Sequence, residues 1–244
     1  MVIRALALDF DGVVWDTQRE GYYLSCLVWQ KLWGISPACS LETFLSGRWL
    51  ARSGEEFSLI VLLGELYSDL SNFSLVDFDY LSRRLDKFVK LFGRTLANLR
   101  LQMHGDNLKQ WLAWQNIFPG VREFLAKNSL PVGICTTKDR ASVDALLGTE
   151  GIKLPIWSKE DSFDKCRQLE LFSQHWQVEL GQILFVDDLL DNLLHVQNTG
   201  VKLALAGWGY NRLDSRQQAL KLGIPVLYSW DDLQTELSQT INAL

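Results

Sequence analysis

The order of hydrophobic patterns along the chain restricts the fold more than any single motif does. Residues 3–8 form a short apolar run that stops at Asp9, the mark of a buried strand. From about residue 17 to residue 116 the apolar positions keep helical spacing instead, as in Leu24, Leu27, Val28 and Leu32, or Leu59, Leu62, Leu63 and Leu66. Helices are expected there over about 55–70, 75–92 and 96–114, with Gly47, Gly54 and Gly93 among the breaks. After Phe118-Pro119-Gly120 short apolar runs return at 131–136, 154–157, 182–186, 201–205 and 225–227. Helical stretches separate them at 140–147, 163–179, 189–198 and 212–222, and a last one follows at 230–237. Such alternation builds a parallel sheet with helices on both faces. The first strand belongs to that sheet, so the hundred-residue helical block is an insertion. The expected architecture is α/β: a Rossmann-like three-layer core from residues 1–15 and 117–244, interrupted by an all-helical domain over 16–116.

Composition narrows the function classes. A chain of 244 residues with 48% hydrophobic and 22% charged residues has a globular, not a disordered, make-up. A net charge of -5 without a basic cluster argues against a nucleic-acid partner. No segment approaches the roughly 18 uncharged apolar residues of a spanning helix. The first apolar run is too short for a signal peptide, so a cytoplasmic protein with no membrane partner is expected. Cys26, Cys39, Cys135 and Cys166 show no C-x-x-C spacing and read as reduced thiols. His104, His175 and His195 are scattered, without metal-ligand spacing. Oligomeric state is not legible.

Chemistry is sought at the carboxyl ends of the strands, where open α/β sheets place their sites. The first strand runs into Asp9-Phe10-Asp11-Gly12-Val13-Val14-Trp15-Asp16-Thr17, another into Thr136-Thr137-Lys138, and a third into Asp187-Asp188-Leu189-Leu190-Asp191-Asn192. Acids gathered at one edge repel and raise each other's pKa values. A divalent cation relieves that cost, and an all-oxygen carboxylate set suits Mg²⁺. Gly12 fits a tight turn after the strand, and Asp16-Thr17 fits a cap for the first inserted helix.

The stretch from Asp9 to Thr17 resembles the first motif of the haloacid dehalogenase (HAD) superfamily, D-x-D-G-x-x-x-D-T. Thr136 stands where that family has its second-motif hydroxyl, and Asp187-Asp188-Leu189-Leu190-Asp191-Asn192 is similar to its acidic fourth motif. The segment Ala206-Gly207-Trp208-Gly209-Tyr210-Asn211 also resembles phosphoglycolate-phosphatase-like members. In position, length and helicity the insertion resembles the family's C1-type helical cap. The resemblance implies a Mg²⁺-dependent phosphatase acting on a small phosphorylated metabolite. Asp9 would be the nucleophile and a metal ligand. Asp11 would be the general acid–base, lending its backbone carbonyl to the metal. Its presence favours phosphoryl transfer over dehalogenation.

Thr136, helped by Thr137, would bind the phosphoryl oxygens. The charge-balancing lysine of the third motif is Lys165 or, less favoured by spacing, Lys159; Lys138 follows the second motif too closely. In the fourth motif the D-D-x-x-x-N register makes Asp188 the direct metal ligand and Asp187 its neighbour, with Asn192 or Asp191 in support. The other register gives that work to Asp187 and Asp191. Arg48 and Arg52, near glycines in a break between inserted helices, are candidates for binding an anionic substrate. A phosphomutase, or a ligand-binding protein without catalysis, would share the same framework.

Overall fold

The computed structural model describes residues 2–242. It divides into two compact units: one of the residues through Asp16 together with those from Ile117 onward, the other Thr17–Asn116.

The first unit holds a six-stranded sheet. Its strands are β1 (Ala5–Leu8), β4 (Val132–Cys135), β5 (Ile156–Trp157), β6 (Ile183–Asp187), β7 (Lys202–Ala206) and β8 (Val226–Leu227). The order is β5-β4-β1-β6-β7-β8, and every neighbouring pair is parallel. The short strands β2 (Trp15–Asp16) and β3 (Asn116–Ile117) make a separate two-stranded sheet. Helices α7 (Val121–Lys127), α8 (Arg140–Thr149), α9 (Lys165–Trp176), α10 (Leu190–Val196), α11 (Leu213–Lys221) and α12 (Trp230–Asn242) supply the crossovers and the closing helix.

Parallel strands buried on both faces are apolar throughout, and all four residues of β1 are fully buried. One core cluster gathers Ala5, Ala7, Phe172, Phe185, Leu193 and Leu205. Each fully buried Leu or Phe contributes about 1.5–3 kcal/mol. Register then fixes the site. Leu8 lies opposite both Ile134 and Val186, so Asp9 comes level with the ends of β4 and β6. Strand order also reverses around β1, which leaves a crevice at its carboxyl end.

The second unit is helical: α1 (Gln18–Trp33), α2 (Leu41–Gly47), α3 (Phe57–Gly64), α4 (Leu75–Arg84), α5 (Asp86–Asp106) and α6 (Leu108–Leu112). Its aromatic centre includes edge contacts of Phe44 with Tyr22 and Phe57. Glu20 is almost fully buried and accepts from Arg100 Nε at 2.6 Å, Arg100 Nη2 at 3.1 Å and Trp111 Nε1 at 3.0 Å.

Several helix boundaries depart from the sequence reading. The helix expected over 55–70 is α-helical only at Phe57–Gly64, and Leu66, expected on its apolar face, is 76% exposed. The chain breaks at Leu85, not at Gly93, which lies inside the continuous α5. Gly93 is there for packing: a Cβ would sit 2.4 Å from Glu55 Cγ. Thr17 occupies the N-cap position of α1 without a side-chain capping bond. Asp16 accepts from the Tyr210 hydroxyl at 3.2 Å.

Candidate active site

Asp9 directly follows β1, and its N–H donates to Val186 O at 2.9 Å, continuing the ladder with β6. Its carboxylate meets an ammonium group: Lys165 Nζ donates to Asp9 Oδ1 at 2.6 Å and to Cys135 O at 2.5 Å, and lies 3.7 Å from Asp187 Oδ2. Lys165 opens α9, whose start is capped by Asp164. Burial alone would lower the Lys165 pKa, but the charges of Asp9 and Asp187 outweigh it and raise the value. The lysine therefore stays charged. Lys159, the other candidate, lies beside Asp139 at 4.0 Å.

Asp187 ends β6 and is fully buried. Its Oδ1 accepts from Leu189 N at 2.9 Å, and Asn192 Nδ2 donates to both of its oxygens at 3.2 and 3.0 Å. The D-D-x-x-x-N spacing thus places Asn192 on Asp187, while Asp191 is exposed. Burial raises the Asp187 pKa, and the Asp9 charge raises it further, against the pull of Lys165. Asp188 is turned toward other groups: its Oδ2 accepts from Tyr210 N at 2.7 Å, and its backbone carbonyl accepts from Asn211 Nδ2 at 3.0 Å. Gly12, at φ +82°, leaves room for it, since a Cβ would lie 2.2 Å from Asp188 Oδ2.

One carboxylate oxygen from each of Asp9, Asp187 and Asp188 lies within 4.8 Å of the other two. Three acids face one ammonium group there in a buried setting. That donor set fits a hard divalent cation such as Mg²⁺, which takes oxygen ligands.

Asp11 stands beside this cluster, its side chain a quarter exposed and its Oδ1 3.1 Å from Lys138 Nζ. Thr136 is buried just beyond β4, where its hydroxyl accepts from Lys138 N at 3.1 Å and its carbonyl accepts from Gln168 Nε2 at 2.8 Å. Thr137 follows, half-buried. Cys135 ends β4, and burial pushes its thiol up to about 12, so it is no nucleophile.

Lys138 follows the second motif too closely for the usual third-motif lysine. The structure places it on Asp11 instead, and its position two residues past Thr136 was the available signal. Tyr210 and Asn211, read only as part of a resembling segment, hold Asp188 in place. Trp208 Nε1 ties the same segment to Val13 O at 3.0 Å.

The two arginines of the helical unit are engaged within it. Arg48 is buried, donates from Nη1 to Ala51 O at 2.7 Å and stacks its guanidinium 5.0 Å from the Phe57 ring centroid. Arg52 Nη1 pairs with Asp79 Oδ1 at 2.7 Å, and its N–H donates to Glu56. Both arginines, candidates for binding an anionic substrate, thus hold partners within the helical unit.

A strand order centred on β1, with acids closing β1 and β6 and a threonine closing β4, decides the fold comparison. The sequence matches no family model and no curated protein. Solved structures do match over nearly the whole chain. A predicted phosphatase from Clostridium acetobutylicum aligns at TM-score 0.66 and 10% identity, covering 98% of this chain and 100% of that one. A predicted phosphoglycolate phosphatase from Haemophilus somnus 129PT aligns at TM-score 0.64 and 13% identity, over 96% and 97%. A haloacid dehalogenase-like hydrolase from Streptococcus pneumoniae aligns at TM-score 0.62 and 15% identity, over 96% and 98%. The chain shares its fold with these haloacid dehalogenase-like and phosphatase structures. Asp9, Thr136 and the Asp187-Asp188 pair stand at the carboxyl ends of β1, β4 and β6. Among the described residues no helix is long and apolar enough to cross a membrane.

Proposed function

We propose that the protein is a Mg²⁺-dependent phosphatase acting on a small phosphorylated metabolite through an aspartyl-phosphate. The observation that carries this reading is the Lys165–Asp9 contact of 2.6 Å at the end of the central strand, with Asp187 and Asp188 gathered on Asp9. In this reading Asp9, Asp188 and the Asp11 carbonyl hold the metal, with Asp187 beside them. The bound cation supplies charge neutralisation for carboxylates and phosphate together. Asp9 attacks phosphorus in line, forming a P–O bond as the ester oxygen leaves with its electron pair. Asp11, held in position by Lys138, gives that oxygen a proton, then takes one from the water that cleaves the acyl phosphate. Lys165 keeps Asp9 ionised and balances the charge that accumulates on the phosphoryl oxygens. Thr136, with Thr137 next to it, donates to those oxygens.

The test is aryl phosphate hydrolysis with Mg²⁺ and with chelator, for the wild type and for Asp9→Asn, followed by a panel of small phosphate esters that begins with phosphoglycolate. Metal-dependent turnover that Asp9→Asn abolishes supports the reading. Turnover that survives Asp9→Asn overturns the nucleophile assignment. No turnover across the panel from folded, Mg²⁺-loaded wild type overturns the phosphatase reading.

A further inference from the structure

A second group of metal-binding side chains lies on the α/β unit, apart from the carboxylate cluster. Asp164 immediately precedes α9, Cys166 is the second residue of that helix, and His195 sits in the last turn of α10. His195 Nε2 is 2.8 Å from Asp164 Oδ1, the same oxygen accepts from Cys166 N at 2.9 Å, and Cys166 Sγ donates to His195 O at 3.7 Å. One nitrogen, one sulfur and one carboxylate oxygen from the three side chains fall within 4.8 Å of one another. The Asp164 and His195 side chains are 54% and 58% exposed, so an ion reaches them from solvent.

We propose that Asp164, Cys166 and His195 form a zinc site. The donors decide the metal: a nitrogen–sulfur–oxygen set suits Zn²⁺, whereas Mg²⁺ takes oxygen alone. Tetrahedral bonds of about 2.0–2.3 Å put neighbouring donors about 3.3–3.8 Å apart. The His195 Nε2–Asp164 Oδ1 separation of 2.8 Å is shorter than that range, and all three donor atoms lie within 4.8 Å of one another, so closing the site takes adjustments of about an ångström or less at each pair. On binding, the His195–Asp164 hydrogen bond is exchanged for two metal bonds, the Nε2 proton is lost to solvent while the neutral imidazole keeps its proton on Nδ1, and the Cys166 thiol releases its proton to solvent. Water completes the fourth position. The ion would clamp the start of α9 to the end of α10, on either side of Lys165, whose own side chain points to Asp9. The proposal stands independently of the phosphatase reading.

Co²⁺ is the probe, added to the full-length protein in saturating Mg²⁺ so that the carboxylate cluster is occupied. The expected result is one equivalent of Co²⁺ bound with a thiolate-to-cobalt charge-transfer band and intense tetrahedral d–d bands, displaced by Zn²⁺. Cys166→Ser should abolish the charge-transfer band, His195→Ala should weaken binding at least tenfold, and Asp9→Asn should leave the spectrum unchanged. Zn²⁺ should raise the melting temperature of the wild type and not that of Cys166→Ser. Both surface variants are checked for an unchanged metal-free melting temperature, and His195→Gln replaces His195→Ala if that variant unfolds. Absence of the charge-transfer band in the wild type, or its persistence in Cys166→Ser, overturns the proposal. Asp164 and His195 would then form only a helix cap and its ionic partner.

Discussion

Lys165→Met removes the ammonium group from the carboxylate cluster while keeping most of the side-chain volume. At an effective dielectric constant near 20, Coulomb's law gives roughly 6 kcal/mol for a contact at the Asp9 distance and roughly 4.5 kcal/mol for one at the Asp187 distance. Desolvation of the buried ions offsets most of that attraction, and breaking such a pair from one side costs about 3–5 kcal/mol. A domain has only about 5–15 kcal/mol to lose. With a slope of about 2 kcal/mol per molar, the urea midpoint of the metal-free protein should fall by about 2 M. The assay is urea unfolding in chelator for the wild type, Lys165→Met, Asp9→Asn and the double variant. If the cost comes from a carboxylate left without its cation, Asp9→Asn should restore part of the stability in the Lys165→Met background. A loss under about 1 kcal/mol, or effects that add within about 0.5 kcal/mol, would refute the reasoning.

Asp187 sets a pH dependence of the metal-free protein. Its folded pKa, raised to about 7 by burial and by the Asp9 charge, exceeds the ordinary carboxylate value, so the native state binds more protons between the two values. Stability should fall as pH rises from about 4 to 7, and Mg²⁺ should restore it at the upper end; a urea series at several pH values checks this. Gly12→Ala, which forces a Cβ toward Asp188 at a positive φ, should cost about a hundredfold in aryl phosphatase rate and weaken Mg²⁺ activation. Glu20→Ala takes the carboxylate from the buried Arg100 guanidinium and should destabilise the helical unit by about 3–5 kcal/mol, visible as faster hydrogen exchange in α1 and α5. Native alkylation at pH 8 followed by mass spectrometry should label Cys166 first and leave Cys39 and Cys135 unmodified, because burial pushes both of these thiols up to about 12.

The sequence by itself determined the class of fold and the acids gathered at one edge of its sheet. Periodicity is a local property, so the switch from a strand to helices and back was visible, as was the inserted position of the helical block. Asp9, Thr136 and Asp187-Asp188 each follow an apolar run, and a parallel sheet brings the ends of such runs to one edge. Packing between elements is not local, and it decided the rest. Lys138, Lys159 and Lys165 are three of the four lysines between residues 138 and 165; which one meets Asp9 depends on where α9 begins beside β1 and β4. Gly93 reads as a helix break until Glu55 is seen against it. Phe57 and Ala51 beside Arg48, and Asp79 beside Arg52, are partners that the packing of the helical unit supplies. Cys166 and His195 carry no shared spacing, and only the approach of α10 to the start of α9 brings them together with Asp164.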